Sequence, residues 1–552
     1  MRTRLVATIG LLSALWVGCD GCDKKGPISA PTRYIPADAE VVLEVADVGV
    51  GLKAREAVLA RYGALVSKEQ VAGIQKELTL SLGFDPTTAE GLAQAGLPTH
   101  GRSAAQLTRD ARGALWVVPV GDPAKLAASL DKAIKGRVTV DGTREEKIGG
   151  ADVTVFETQF GDQKVVVAAR TFTGGYALVG LGRDAVELVK KALALPTEQS
   201  VETHAEYQAL AKQLGNDWAL RMISPTGGET LRGALKAASR AIPEARLLVR
   251  DELSAVKSVG WVLELGIDGA VARAQARLTP EGQALSQKIF AVDPDPGEGV
   301  KAVMLPQAVV SVQAALHPAA ILDALAPTDT PSRAQFDQVS AKVKADLGAD
   351  LEKEVLPLLT GHAAVAMGLG DLTGISFQQL VGNPRAVMWT SAAVGVKDPA
   401  AAVELEQRLD EGLKVRGLSI VSRDVAGKAV RSLMPPAQGD KAPAPLAETM
   451  AFGKAWMFAN EPALTDQILK NTAAPSALGG RPGVAVEVNF LQLAKQAESF
   501  RFGDLPIIYR SVLARILDVV RLLNTARVRI HPNADGIELK AELTMMPVKS
   551  GS

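Results

Sequence analysis

The sequence predicts an α+β fold: two tandem copies of a mostly antiparallel sheet, each with helices packed on one face, following a signal peptide. Three observations predict it. Strand-like runs recur in the same order in the two halves of the 552-residue chain. Helix starts marked by Asp-Pro recur at matching places. Neighbouring runs such as Val153 to Glu157 and Lys164 to Ala169 read as hairpins rather than as parallel crossovers.

In chain order, Arg2 and Arg4 precede an apolar run from Leu5 to Val17 that ends at Gly18. That run is too short for a comfortable membrane span and has the anatomy of a signal peptide. Cys19 follows directly. The run Leu15-Trp16-Val17-Gly18-Cys19 resembles the lipobox of bacterial lipoproteins, with Trp16 departing from the usual aliphatic residue. The resemblance implies that Cys19 is diacylated and becomes the mature N-terminus. The other reading is a secreted protein cut nearby, with Cys19 and Cys22 joined or free. These are the only two cysteines, so no disulfide holds the body. Lys24, Lys25, Gly26, Pro27, Ser29, Pro31 and Thr32 read as a flexible tether.

The repeat begins with Ile35-Pro36 leading into the strand Val41 to Val45, matched by Leu305-Pro306 leading into Val309 to Gln313. Ala114 to Val118, ending at Gly121-Asp122-Pro123, is matched by Val387 to Trp389 and Val394 to Val396, ending at Lys397-Asp398-Pro399. Asp122 and Asp398 suit helix N-caps with proline at the first helical position. The following helices carry Leu126, Leu130 and Ile134 in one half and Leu405, Leu409 and Leu413 in the other, each on a single stripe. Trp116 and Trp389 read as equivalent core anchors. Tyr176 to Val179 answers Trp456 to Ala459, and Trp218 to Met222 answers Val484 to Val488. The closing strand pairs match in kind. The prolines and glycines of Asp293 to Gly299 mark a seam, and those between Pro435 and Pro445 a long loop. The expected organisation is a signal peptide at 1–18, a lipid-anchored tether at 19–33, a first repeat at 34–292, a linker at 293–299 and a second repeat at 300–552.

Composition narrows function. Lysine plus arginine and aspartate plus glutamate are both 61, which gives no electrostatic reason to expect nucleic acid. The five histidines are each isolated, without metal-ligand spacing. No G-x-S-x-G or Walker A motif occurs. Gly180-Leu181-Gly182 before a helix is the nearest phosphate-loop pattern, and it reads better as a tight strand-to-helix turn. The segment Pro506 to Asn524 carries more apolar residues than one core-facing stripe needs, which marks it as an interface or docking helix.

Ile35-Pro36-Ala37-Asp38-Ala39 before a strand, just after a lipobox and tether, resembles a family of uncharacterised envelope proteins common in myxobacteria and their relatives. Its members open with a Leu-Pro-Ala-Asp type motif. The resemblance brings no catalytic residues. The expectation is therefore a non-catalytic, lipid-anchored envelope protein that binds or scaffolds. It is expected on the periplasmic face of the outer membrane, although Asp20 would favour the inner membrane under enterobacteria-like sorting. Expected partners are the membrane, through Cys19, and a protein; no cofactor, metal or nucleic acid is expected. The alternatives are a carrier or sensor of a hydrophobic ligand such as lipid and, after that, a cell-wall or lipid hydrolase.

Overall fold

A computed structural model of the chain describes residues 30–46, 84–85, 88–98, 100–107, 113–136, 139–160, 163–227, 255–266, 268–293, 295–370, 372, 387–415, 417–436, 445–471, 477–498 and 520–546, with single positions between 72 and 79 and between 510 and 518. The fold is mixed α+β and its strand pairs are antiparallel. It divides into two compact units, the first ending at Gly282 and the second running Gln283–Met546.

The first unit contains β1 Val41–Val45, β2 Ser103–Leu107, β3 Gly113–Pro119, β4 Gly142–Ile148, β5 Ala151–Phe160, β6 Gln163–Thr173, β7 Tyr176–Gly182, β8 Leu220–Ser224, β9 Val256–Gly266 and β10 Gly269–Leu278. Among the described residues its main helices are α1 Ala89–Gln94, α2 Pro123–Lys135, α3 Ala185–Ala194 and α4 Ala205–Leu214. The spatial order is β4-β5-β6-β7-β3-β2-β1-β8-β9-β10.

The second unit contains β11 Val310–Ala315, β12 Leu359–Leu369, β13 Met388–Val396, β14 Ser419–Val425, β15 Lys428–Met434, β16 Ala447–Phe452, β17 Ala455–Ala459, β18 Gly483–Asn489, β19 Leu523–Asn533 and β20 Gly536–Met545. Its main helices are α5 Gly297–Ala302, α6 Pro318–Leu325, α7 Pro331–Leu347, α8 Pro399–Val415, α9 Pro462–Lys470 and α10 Phe490–Ala497. Its spatial order is β14-β15-β16-β17-β13-β12-β11-β18-β19-β20. Counted from the first strand of each unit, the two orders are the same.

Local chemistry explains the helix starts. Asp122 accepts hydrogen bonds from the backbone of Ala124 and Lys125 at 3.0 and 3.1 Å. Asp398 does the same for Ala400 and Ala401 at 2.9 and 3.3 Å. Each satisfies donors that the first helical turn leaves open.

The helices do not keep to one face. In the first unit, Val42, Leu115, Val117 and Leu178 pack with Val189, Leu210 and Leu214 of α3 and α4. Leu43, Val45, Val118, Ala177 and Val179 point the other way and pack with Leu92 of α1, Leu97 and Leu126 of α2. Strands buried on both sides read as continuous apolar runs rather than as alternation, and Val41 to Val45 and Ala114 to Val118 are such runs. In the second unit, Ala364, Ala366, Ala393 and Met457 form a core with Val300, Val303, Leu305, Leu464 and Ile468.

The two tryptophans are not equivalents. Trp116 packs on the side of Leu92 and Leu126, whereas Trp389 is buried among Val300, Leu305 and Ile468, opposite Gly368. Measured from the capping Asp-Pro pairs, they stand three residues out of register. An odd offset turns a strand side chain to the opposite face.

The expected boundaries also move. Pro31–Tyr34 form a 3-10 turn with Pro31 and Thr32 buried, and Tyr34 meets Tyr176 edge-on at 5.9 Å. The folded body therefore includes residues expected in the tether. The end of the expected linker is helical, because α5 starts at Gly297. A Cβ at Gly299 would lie 2.3 Å from the Phe452 carbonyl oxygen, so this glycine lets α5 sit directly on the β16–β17 hairpin. Of the loop between Pro435 and Pro445, residues 437–444 lie outside the described residues.

His362 on β12 ties down the start of the same segment. It is buried, and its Nε2 donates to the Asp293 carbonyl oxygen at 2.6 Å. Its Nδ1 is buried without a partner among the described residues. Burial pushes its pKa below the ordinary imidazole value, against the opposing pull of the Asp293 carbonyl and the nearby carboxylates. A depressed folded-state pKa gives stability that is complete above the unfolded value, about 6.5, and is lost as pH falls through the folded value. Melting curves between pH 7.5 and 5 should show the wild type losing more stability on acidification than His362→Asn. Equal losses would show that His362 does not set this dependence.

Candidate binding surface

Alternation in the second unit separates two kinds of chemistry onto two sides of one sheet. On β18, Val484, Val486 and Val488 alternate with Ala485 and Glu487; on β19, Ala526, Val528 and Ile530 alternate with Arg527 and Arg529. On β20, Leu539, Ala541 and Leu543 alternate with Lys540 and Glu542. The pairing register aligns them. Ala541 faces Val528, Val528 faces Val486, Val486 faces Val312, Val312 faces Val365, Val365 faces Ala392, and Ala392 faces Phe458. Directly paired residues share a face, so this apolar row crosses seven strands, about 29 Å at 4.8 Å per strand. Parallel rows through Val488, Val310 and Met367 and through Val484, Ala314 and Val394 widen it.

The opposite side of the β18–β20 end carries paired charges. Arg527 Nε binds Glu487 at 2.6 Å, and Glu542 receives Lys540 at 2.6 Å and Arg529 at 3.5 Å. The apolar row remains half-buried along its length, and Phe458 is 38% exposed. A contiguous apolar row of this kind is a candidate binding surface. At the β14–β17 end α8 reaches over this side. Glu406 accepts from Thr449 Oγ1 at 2.8 Å and from Trp456 Nε1 at 3.3 Å. In the first unit the corresponding side is buried at its centre under Leu92, Leu97 and Leu126, while Met222, Trp261 and Leu263 remain half-exposed.

A second feature is polar. An open cleft of about 320 Å³ is lined by residues including Pro31, Thr32, Glu44, Arg102, Glu202, Tyr207 and Arg221. At its base Arg221 forks onto Glu44, Nε to Oε1 at 2.8 Å and the terminal nitrogen to Oε2 at 2.9 Å. Tyr207 donates to the same Oε1 at 2.6 Å. The guanidinium lies 4.5 Å from the centre of the Trp218 ring. Burial opposes the Arg221 charge, but the Glu44 carboxylate more than offsets it and raises the pKa. Burial, reinforced by Glu44, pushes the Tyr207 hydroxyl far above its ordinary range. Raised pKa values on both Arg221 and Tyr207 are the reverse of the poise that acid–base catalysis needs near neutral pH. The trio is a structural ion pair with a hydroxyl clasp.

Cys19, the expected lipidation site, and Cys22 lie outside the described residues. Three histidines do local work: besides His362, His317 Nδ1 accepts from Ala320 N at 3.3 Å at the start of α6, and His531 Nδ1 meets the Pro482 carbonyl at 2.9 Å. Gly180 lies within β7, where a Cβ would stand 2.3 Å from the Ala185 carbonyl oxygen; the glycine serves the packing of α3 rather than a phosphate. In the expected docking helix, Ile516 is 51% exposed and Leu517 is buried, while Ile508, Val512, Leu513 and Val519 lie outside the described residues. Strand β19 already begins at Leu523, so the helix ends short of Asn524. Among the described residues no group of three or more potential metal ligands comes together, and no helix is long and apolar enough to cross a membrane.

The polar cluster has a signal in the sequence: one charge inside an apolar strand, Glu44 in Val41 to Val45, and one inside another, Arg221 in Trp218 to Met222. Buried charges demand partners.

No family model matches the chain, and no curated protein matches it. Among solved structures it is similar to TP0453. Crystal form I is 9% identical and covers 46% of this chain and 80% of that one, with a TM-score of 0.24. Crystal form III is 12% identical and covers 49% and 90%, with a TM-score of 0.24.

If Glu44 and Arg221 are structural, Arg221→Met alone should destabilise the first unit by about 3–5 kcal/mol, because it strands a buried carboxylate. The double variant Glu44→Leu, Arg221→Met should recover a large part of that loss. Denaturant unfolding measures both, and additive losses would contradict the coupling.

Proposed function

We propose that this chain is a non-catalytic, lipid-anchored envelope protein that carries or senses an apolar ligand, such as a lipid acyl chain, on its sheet. The apolar row from Ala541 to Phe458 carries the reading. It has no charged member, its backbone groups are already paired between strands, and it is too broad for scattered surface residues. A ligand gaining affinity there must do so by burying apolar area, worth roughly 25 cal/mol per Å². The mutual saturation of Glu44, Tyr207 and Arg221 supports the non-catalytic reading.

Two further parts belong to the same proposal. The units are tandem copies of one ancestral fold, supported by ten strands joined in the same order in each. Cys19 is diacylated and holds the protein at the periplasmic face of the outer membrane, supported by the short apolar run and the lipobox-like sequence before it.

Wild-type protein should label with palmitate and fractionate with membranes, whereas Cys19→Ser should do neither. Purified protein should bind a fluorescent fatty-acid analogue, and Val486→Asp and Val528→Asp should each weaken that binding about tenfold or more while leaving the melting temperature near that of wild type. Wild-type affinity in both variants would refute the assignment of the apolar face.

A further inference from the structure

We infer that the cleft beside Pro31 and Thr32 is a binding site for a small zwitterion, its anionic group held by Arg102 and its ammonium by Glu202. At about 320 Å³ the cleft is at the small end of ligand sites, which run from about 300 to 1,000 Å³. Four charged side chains line it: Glu44, Arg102, Glu202 and Arg221. Glu44 and Arg221 neutralise one another through the two-pronged contact described above and leave no net charge.

The other two are differently placed. Arg102 is exposed, and its guanidinium lies 5.3 Å from the centre of the Trp218 ring, without an ion pair among the described residues. Glu202 accepts the Thr32 hydroxyl on Oε1 at 2.5 Å, and its Oε2 has no partner among the described residues. Two opposite charges thus face one cleft without pairing with each other. A simple anion entering would meet Arg102 but also the carboxylates Glu44 and Glu202. A simple cation would meet Glu202 but also two guanidinium groups. A ligand with both signs satisfies both walls and leaves the balance at zero. Charge-assisted contacts of this kind are stronger than neutral hydrogen bonds, and a guanidinium offers a fork suited to carboxylate or phosphate. Both free amino acids and the phosphoethanolamine headgroup have this chemistry.

The test titrates full-length protein with alanine and with glycerophosphoethanolamine, and in parallel with N-acetylalanine and alanine amide, which each keep one charge. Calorimetry reads binding, and Trp218 emission, blanked with Trp218→Phe, reports its place because Arg102 lies over that ring. At least one zwitterion should saturate, and whichever does identifies the source as free amino acid or headgroup. The single-charge analogues should bind about tenfold or more weakly, as should the zwitterion to Arg102→Gln and to Glu202→Gln. Gln keeps an acceptor for Thr32, and Arg102 is exposed, so melting temperatures should stay near wild type. Failure of both zwitterions to saturate at millimolar concentration, equal binding of the single-charge analogues, or unchanged binding by Arg102→Gln would each overturn the proposal.

Discussion

Successive side chains on a strand leave on opposite sides, so a ten-stranded antiparallel sheet has two faces, and each must meet something. In the first unit both faces of the central strands meet helices. Val42 and Leu178 are covered by α3 and α4, and Leu43 and Val179 by the segment around α1 and by α2. In the second unit one face is closed in the same way by α5 and α9 around Trp389 and Met457. The other stays half-open along Val528, Val486, Val312 and Val365. Sheet geometry makes that apolar row continuous, because hydrogen-bonded register places paired residues on one side. The functional proposal follows from the pleat.

Charge in this chain goes where the pleat permits. Arg527, Arg529, Lys540, Glu487 and Glu542 share the side of the sheet opposite the apolar row and pair there. Two of the buried carboxylates are each held by a forked arginine: Glu44 by Arg221, and Glu448 by Arg423 at 2.9 and 2.8 Å. Such pairs offset much of the desolvation penalty only when the geometry is good and other lone pairs are filled, as Tyr207 does for Glu44 and Ser432 for Glu448.

Much of this was legible in the sequence where local physics acts alone. The caps at Asp122 and Asp398, the hairpin of Val153 to Glu157 with Lys164 to Ala169, and the alternation on β18 to β20 need no distant partner to be read. What escaped depended on long-range contacts. Helices on a second face are signalled only by the missing alternation in Val41 to Val45 and Ala114 to Val118. Trp116 and Trp389 look alike because matching by residue type ignores register, and three residues of offset reverse the face. Gly297 and Gly299 read as linker, yet Gly299 is small so that a helix can dock. The Glu44 and Arg221 pair joins positions 177 residues apart, which no local pattern connects.

In the proposed function an apolar ligand lies along the half-buried face of the second unit. Crystallography of the full chain with a brominated fatty acid addresses it directly, since the anomalous scattering of bromine locates the labelled position of the acyl chain. Bromine is expected against Val312, Val365, Val486 and Val528. Bromine bound elsewhere on the protein, with that row bare, would contradict it.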